Sequence, residues 1–195
     1  MARTQAADYD ERRAAIVSTA AAQYARFGFN GCSIADLADA CGVSKSLLYH
    51  YFSSKEDILF EIMDAHVRAL ADVAAQTAGE ADAERRLRAL TRGFMTLYVD
   101  AADAHKVLVN DLDKLPPRRR TTVIAIERGL IEVVDDLIGR MSKRLAGRRG
   151  ERRAAAMMFY GMINWTHTWF DPSGAVKPRA FADQVVDTLL DGLPR

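Results

Sequence analysis

This chain has almost no excess of positive over negative charge, and it contains few cysteines and few prolines. Its 195 residues include 27 lysines and arginines against 26 aspartates and glutamates, two cysteines and five prolines. A formal net charge of +1 gives no sign of a broadly basic surface, so any nucleic-acid-binding surface must be local. Few prolines and the lack of a low-complexity tract argue against long disordered segments. We interpret Cys32 and Cys41 as small buried hydrophobic residues in a reducing compartment, with a redox pair as the alternative.

The sequence also lacks the patterns of metal binding, catalysis and membrane insertion. Its four histidines have no ligand partners at metal-binding spacing. Neither a glycine-rich phosphate loop nor a nucleophile elbow is present. The amino-terminal segment has no apolar signal core, and the charge-free run at residues 154–170 is shorter than the about 20 residues of a membrane span. We therefore expect a cytoplasmic protein that is not an enzyme, with no metal, no cofactor and no membrane partner.

Helical periodicity covers almost the whole chain, and no segment alternates convincingly as a strand does. This spacing predicts an all-α fold of about nine helices. The first helix should run from about Tyr9 to Phe27. Its predicted buried stripe comprises Ile16, Ala20, Tyr24 and Phe27. A fourth helix should begin at the Ser-Ser-Lys-Glu box of residues 53–56, where Glu56 can reach back to the helix start.

Two later helices are predicted from prolines and from apolar spacing. The double proline at residues 116–117 can begin a helix but cannot lie comfortably inside one, so the seventh helix should start there and extend to about Leu145. The eighth should extend from Glu151 to about Phe170. Because it is apolar nearly all round, we expect it to be buried on two sides, against its own core and against a partner subunit.

Residues 33–60 are the most informative segment, because they predict two short helices joined by a glycine turn and followed by a third, capped helix. Ser33 can cap the first short helix. Gly42 tolerates the left-handed backbone that a tight turn requires. Ser44 can cap the second short helix, and Leu48 is spaced to anchor that helix in the core. This is the outline of a helix-turn-helix that reads DNA.

The run CGVSKSLLYHYFSSKEDIL at residues 41–59 resembles the signature of the tetracycline-repressor (TetR) family of bacterial regulators. The matching residues are Gly28, Ser33, Ile34, Ala38, Gly42, Val43, Ser44, Lys45, Leu48, Tyr49, Phe52, Ser54, Lys55 and Glu56. Ser46 and Leu47 stand where the family more often has other residues. The resemblance implies a homodimer that binds a palindromic operator in double-stranded DNA. It also implies a DNA-binding domain at residues 1–54 and an effector-binding and dimerisation domain at residues 55–195.

The resemblance implies two sets of DNA contacts. Phosphate contacts are implied for Ser33, Ser44, Tyr49 and Lys55. Groove contacts are implied for Lys45, Ser46, Leu47 and His50. A leucine can touch a thymine methyl group but cannot hydrogen-bond a base edge. The serines can equally be helix caps, so a second hypothesis is a non-enzymatic ligand- or partner-binding helical protein whose helix-turn-helix no longer reads DNA.

Members of this family sense a small molecule in a cavity between their middle helices, and the resemblance implies the same here. The candidate lining residues are Phe94, Met95, Tyr98, Leu112, Val123, Ile126, Met158, Met162 and Trp165. Core packing is the alternative for each of them, since methionines and aromatic residues at helical spacing pack in cores by default. Asn164 and His167 are polar within the apolar eighth helix and need partners if they are buried. Either can orient a ligand or lie at the dimer seam.

Two further expectations concern the partner subunit and the effector. The predicted dimer seam comprises Trp169, Phe181, Val185 and Leu189. Residues 161–183 resemble the corresponding stretch of family members that respond to acyl- or aryl-coenzyme A thioesters. The arginines at residues 118–120 are candidates for contacts with coenzyme phosphates, although such a run is more often a solvated helix start. The implied mechanism is repression that a bound effector relieves by tilting the fourth helix.

Overall fold

The computed structural model describes residues 2–193 of the chain, with side chains from residue 8 onward. Over this range it contains nine α-helices and no strand, which confirms the predicted all-α fold. Single turns of 3₁₀ helix follow α6 at Leu112–Lys114 and α8 at Trp165–Thr168. The helices are α1 (Ala2–Phe27), α2 (Ile34–Ala40), α3 (Lys45–Tyr51), α4 (Lys55–Gln76), α5 (Ala83–Asp100), α6 (Ala102–Asp111), α7 (Pro117–Met141), α8 (Arg149–Asn164) and α9 (Pro178–Gly192). None of them is both long and apolar enough to cross a membrane.

Helix starts follow local chemistry. Prolines occupy the first positions of α7 and α9, where the missing N–H has no helical partner to lose. The Asp82 carboxylate caps α5 by accepting the backbone N–H of Arg85 at 2.8 Å. At the start of α4, the Ser54 hydroxyl accepts the backbone N–H of Asp57 at 3.1 Å. The side chain that reaches back to the start of α4 is therefore not that of Glu56, as predicted, but that of Asp57, the next residue. Its carboxyl group forms a hydrogen bond with Ser54.

Two helices end earlier than predicted, because polar side chains there bond to nearby backbone. Helix α7 ends at Met141 rather than near Leu145, and the Ser142 hydroxyl accepts the N–H of Leu145 at 3.4 Å. Helix α8 ends at Asn164 rather than near Phe170. Just beyond it, the Thr166 hydroxyl donates to the Ile163 carbonyl at 2.6 Å and tightens the chain into the 3₁₀ turn.

The chain folds into two compact units. The first unit contains the chain up to His66 together with Asp103–Val123. Its core includes Ile16, Ala20 and Tyr24 of the predicted α1 stripe, but Phe27 is 51% exposed and does not belong to it. Gly28 has a positive φ of 75° and turns the chain, so that Phe29 is buried instead, with its ring 5.4 Å from that of Tyr24.

The second unit comprises Val67–Ala102 and the chain from Ile124 onward. Helix α9 packs along α5 and against α8, around a core that includes Phe94, Phe159 and Val186. Ion pairs flank the α5–α9 packing, with Arg88 at 2.6 Å from Asp187. Such partly exposed pairs contribute little stability, so burial of the apolar side chains holds this unit together.

Candidate nucleic-acid interface

Helices α2 and α3 form a helix-turn-helix whose geometry is set by caps and one glycine. Ser33 and Asp36 cap α2 reciprocally: the Ser33 hydroxyl accepts the Asp36 N–H at 3.2 Å, and the Asp36 carboxylate accepts the Ser33 N–H at 2.8 Å. These hydrogen bonds lower the pKa of Asp36. Gly42 follows with a φ of 64°, which an L side chain rarely adopts. The Ser44 hydroxyl then accepts the Leu47 N–H at 3.1 Å and caps α3.

Helix α3 is anchored on one side and exposed on the other. Leu48 and the C-cap residue Phe52 are buried, at 1% and 5% exposure. The exposed residues of the segment are Ser44, Lys45, Ser46, Tyr49 and His50. Leu47 is half-buried, and Tyr49 is 53% exposed. The structure thus gathers the predicted groove residues on α3, with one lysine, several hydroxyl groups and one imidazole available to a partner.

Three of the four predicted phosphate contacts already have structural partners. The Ser33 and Ser44 hydroxyl groups cap their helices, and both residues remain exposed. Lys55 is half-buried: its ammonium donates to the carbonyl oxygens of Phe29 and Cys32, the latter at 2.8 Å. The same ammonium lies 3.9 Å from the centre of the Phe29 ring. Lys55 therefore fixes the loop between α1 and α2, whatever further contact it makes.

Sequence reasoning missed the aromatic contact that supports His50. The Tyr9 ring of α1 stacks on Tyr51 at 4.6 Å between ring centres, and it meets the His50 ring edge-on at 6.1 Å. Tyr9 is 38% exposed, so it extends the exposed surface of α3. The spacing of α1 residues gave no signal for this contact, because the two rings are brought together only by the packing of α1 on the short helices.

Charged residues tie α4 to its neighbours in the first unit. Arg13 of α1 pairs with Glu61 of α4 through both terminal guanidinium nitrogens. The same guanidinium group lies 4.9 Å from the centre of the Phe52 ring. The hydrogen bond with Glu61 raises the pKa of Arg13. Arg119, from the basic run at residues 118–120, pairs with Asp57 at the start of α4 and is therefore already engaged. Burial opposes the shift, but the hydrogen bonds from Ser54 and Arg119 leave the pKa of Asp57 lowered.

A buried histidine pair joins α4 to α6 within the first unit. Nε2 of His66 lies 3.2 Å from Nδ1 of His105, and the two residues are 3% and 2% exposed. Burial lowers the pKa of His66 to about 4. His66 is therefore neutral near pH 7, and it brings no charge to its contact with His105.

The predicted effector-lining residues are not all buried. Within the second unit, Phe94, Met95 and Tyr98 are buried, whereas Ile126 and Met162 are half-buried. Met158 and Trp165 are 62% and 63% exposed. Leu112 is half-buried and Val123 is buried, and both belong to the first unit. The Tyr98 hydroxyl donates to the Asn164 side-chain oxygen at 2.8 Å, which supplies the partner expected for Asn164.

The predicted dimer residues also differ in exposure. Val185 and Leu189 are 3% and 6% exposed, because they pack into the core of their own chain. Phe181 is half-buried beside Trp169, which is 57% exposed, with 5.5 Å between their ring centres. Helix α8 presents a second apolar row to the outside. The exposed residues of this row are Ala154, Met157, Met158 and Gly161, followed by Trp165 just beyond the helix.

Comparison with known families covers most of the chain. The model for the C-terminal domain of tetracyclin-repressor-like proteins matches residues 80–193. The model for bacterial regulatory proteins of the tetR family matches residues 16–62, which include the helix-turn-helix. Residues 80–193, which lie outside the helix-turn-helix, are therefore also typical of these regulators.

Individual relatives agree with this assignment. A TetR-family transcriptional regulator from Bordetella parapertussis is 39% identical, with 92% of this chain and 94% of that chain covered and a TM-score of 0.89. The structure of AibR in complex with isovaleryl coenzyme A and operator DNA is 26% identical, covering 92% of this chain and 98% of that chain at a TM-score of 0.82. The transcriptional activator FasR of Mycolicibacterium smegmatis is 27% identical over 134 residues, which are 68% of this chain and 61% of that protein.

The family models and the related structures lead to the same assignment as the capped helix-turn-helix with its exposed polar face. The chain belongs to the TetR family of DNA-binding bacterial transcriptional regulators.

Proposed function

We propose that the chain represses transcription by binding a palindromic operator as a homodimer, and that a small-molecule effector releases it. The observation that carries this proposal is the exposed polar face of α3, held by a cap at Ser44 and an anchor at Leu48. Residues 1–54 would read DNA, and residues 55–195 would bind the effector and dimerise. This function belongs in the cytoplasm, where bacterial DNA lies.

The chemistry of each exposed side chain of α3 suggests which part of the DNA it contacts. Lys45, Ser46 and His50 offer donors and acceptors to the major groove, and half-buried Leu47 is suited to a thymine methyl group. Ser44 and Tyr49 are suited to phosphates, which position a protein on DNA without reading sequence. Lys55 and Ser33 would then act mainly by shaping the loop and helix beside these contacts.

Dimerisation is supported by the apolar face of α8. One short recognition helix contacts only a few base pairs, so two copies are needed for useful specificity. Exposed methionine and tryptophan side chains at helical spacing form a patch that a second copy would remove from water. We propose that Met157, Met158 and Trp165 lie at the centre of this seam, with Trp169 and Phe181 beside them. Val185 and Leu189 would support the seam from within the chain.

The effector is proposed to be an acyl- or aryl-coenzyme A thioester. AibR, a structural relative, is described in complex with isovaleryl coenzyme A. The buried aromatic group of Phe94 and Tyr98, with the Tyr98–Asn164 hydrogen bond, offers an apolar wall with one polar handle. Binding there would shift the population towards a state in which α4, and with it α3, is tilted away from the operator. An effector that prefers that state by about 2.7 kcal/mol weakens operator binding about a hundredfold.

Fluorescence anisotropy tests this proposal directly. The probe is DNA from immediately upstream of the gene for this protein, titrated with and without short-chain, long-chain, aryl and sterol coenzyme A thioesters. We expect tight, salt-sensitive binding that one thioester releases. Operator binding that no thioester disturbs would overturn the effector class, and the absence of binding to any upstream DNA would favour a partner-binding protein instead.

A further inference from the structure

The second unit contains an open groove that the predicted effector residues hardly touch. It lies between the last two turns of α4 and the middle of α7, with Arg86 of α5 in its wall, and has a volume of about 380 Å³. Of the predicted effector-lining residues, only Ile126 borders it. The buried Tyr98 side chain is not part of its lining.

Small residues on both helices keep this groove open. Ala71, Ala74 and Ala75 line it from α4, and Gly129 lines it from α7. A Cβ atom built at Gly129 would meet no heavy atom within 4 Å. The position therefore has room for a side chain, and the walls are nearly all hydrocarbon.

Arg86 is the charged residue among the described residues that line this groove. Its side chain is half-buried, and its Nε atom is buried without a hydrogen-bond acceptor in the described part of the chain. A buried donor without an acceptor is costly, and guanidinium groups pair best with carboxylates and phosphates. An incoming anionic oxygen would remove that cost.

We infer that this groove binds a single-chain anionic amphiphile, with the anionic head at Arg86 and the hydrocarbon chain along the alanines and Gly129. A volume of 380 Å³ lies near the lower end of the about 300–1,000 Å³ range of small-molecule sites. The regulatory meaning of this site rests on the proposed ligand-released function, but the binding itself does not.

Isothermal titration calorimetry on the full chain without DNA tests the site. The probes are decanoate, decanoyl-coenzyme A and decanol, each below its micellar concentration. We expect at least one of the two anionic probes to bind about tenfold more tightly than decanol, because only an anion satisfies Arg86. The comparison of decanoate with the thioester distinguishes a free carboxylate from coenzyme phosphates as the source of charge. Equal binding of all three probes, or no binding, overturns the inference.

Two variants and two controls locate the binding. Arg86→Gln should weaken the anionic probe about tenfold and leave decanol unchanged. Gly129→Leu fills open space in the groove and should weaken both anion and alcohol about tenfold or more. Arg85→Gln, at the exposed neighbouring arginine, and Gly129→Ala should each change binding by less than about twofold. Unchanged anion binding in both Arg86→Gln and Gly129→Leu overturns the inference.

Operator anisotropy in the presence of the bound amphiphile separates this inference from the proposed function. Amphiphile binding that depends on Arg86 but leaves operator affinity unchanged supports the groove and contradicts its role as an effector site. Operator binding by a chain that binds none of the probes supports the DNA-binding proposal and overturns the groove.

Discussion

Helices α3 and α8 both expose large side chains, but the two exposed surfaces have opposite chemistry. On α3 the exposed residues include Lys45, Tyr49 and His50, all with polar atoms. On α8 and just after it the exposed side chains include Met157, Met158 and Trp165, which are mostly hydrocarbon. A hydrated, charged partner such as DNA suits the first surface, and an equally apolar partner suits the second. Exposure alone therefore does not indicate the type of partner. The polarity of the exposed atoms does indicate it.

The largest expected effect comes from a charge on the apolar face of α8. Met158→Glu should weaken dimerisation at least about a hundredfold, because the twofold axis would bury two carboxylates in an apolar seam. Sedimentation velocity over a concentration series measures the change. Val109→Glu, at a 41% exposed valine of α6, is the matched control and should remain dimeric. A dimer that survives Met158→Glu would contradict the proposed seam.

Acid should change the stabilising contributions of two titratable groups, one in each unit, in opposite directions. His66 in the first unit has a lowered pKa of about 4, so its stabilising contribution is complete above about pH 6.5 and is lost as the pH falls towards 4. Glu127 in the second unit has a pKa raised by burial, so its carboxyl group favours the folded state more as the pH falls. Between pH 7.5 and 5, His66 should cost about 2 kcal/mol of unfolding free energy.

Urea unfolding at pH 7.5 and pH 5 measures this difference. His66→Gln removes the titrating group and should reduce the loss of stability on acidification by about the same 2 kcal/mol. Glu127→Gln is the companion variant, and it should be more stable than the parent chain at pH 7.5 because a neutral side chain is cheaper to bury. An identical pH dependence in the His66→Gln variant would show that His66 does not titrate in this range.

The next effect concerns the charge on α3. Lys45→Ala should weaken operator binding about tenfold and reduce the slope of log affinity against log salt by about one, if Lys45 meets one phosphate or base edge. Dimerisation should not change. Lys143→Ala, at an exposed lysine beyond α7, is the matched control. Equal losses in both variants would mean that only overall charge matters, and that α3 is not the reader.

The same contrast explains which features could be predicted from the sequence. The helix-turn-helix was predictable because its determinants are local: the Ser33 and Ser44 caps and the Gly42 turn act within a few residues of themselves. Lys55 was predicted as a phosphate contact, but its ammonium bonds to carbonyl groups at Phe29 and Cys32, more than 20 residues earlier. No local pattern predicts such a contact.

The helix α8 prediction was limited for a different reason. An apolar pattern all round a helix predicts that two faces avoid water, but it does not say which face packs on the helix's own core. Met158 and Trp165 were assigned to the effector cavity and lie on the exposed side, whereas Val185 and Leu189 of α9 were assigned to the seam and lie in the core. Only the packing of α9 against α5 and α8 decides between these faces.

The smallest expected effect separates two roles of Ser44, helix capping and DNA contact. Here too α3 differs from α8, because Ser44 caps α3 whereas Arg148, at the N-cap of α8, makes no capping hydrogen bond through its side chain. Ser44→Ala removes the cap and should lower the unfolding free energy by about 1 kcal/mol. Ser44→Asp keeps a good cap but places a negative charge beside the proposed phosphates, so operator binding should weaken while urea unfolding stays close to the parent chain. Operator binding by Ser44→Asp at the parent affinity would mean that Ser44 only caps α3, and that the phosphate contact belongs to Tyr49 alone.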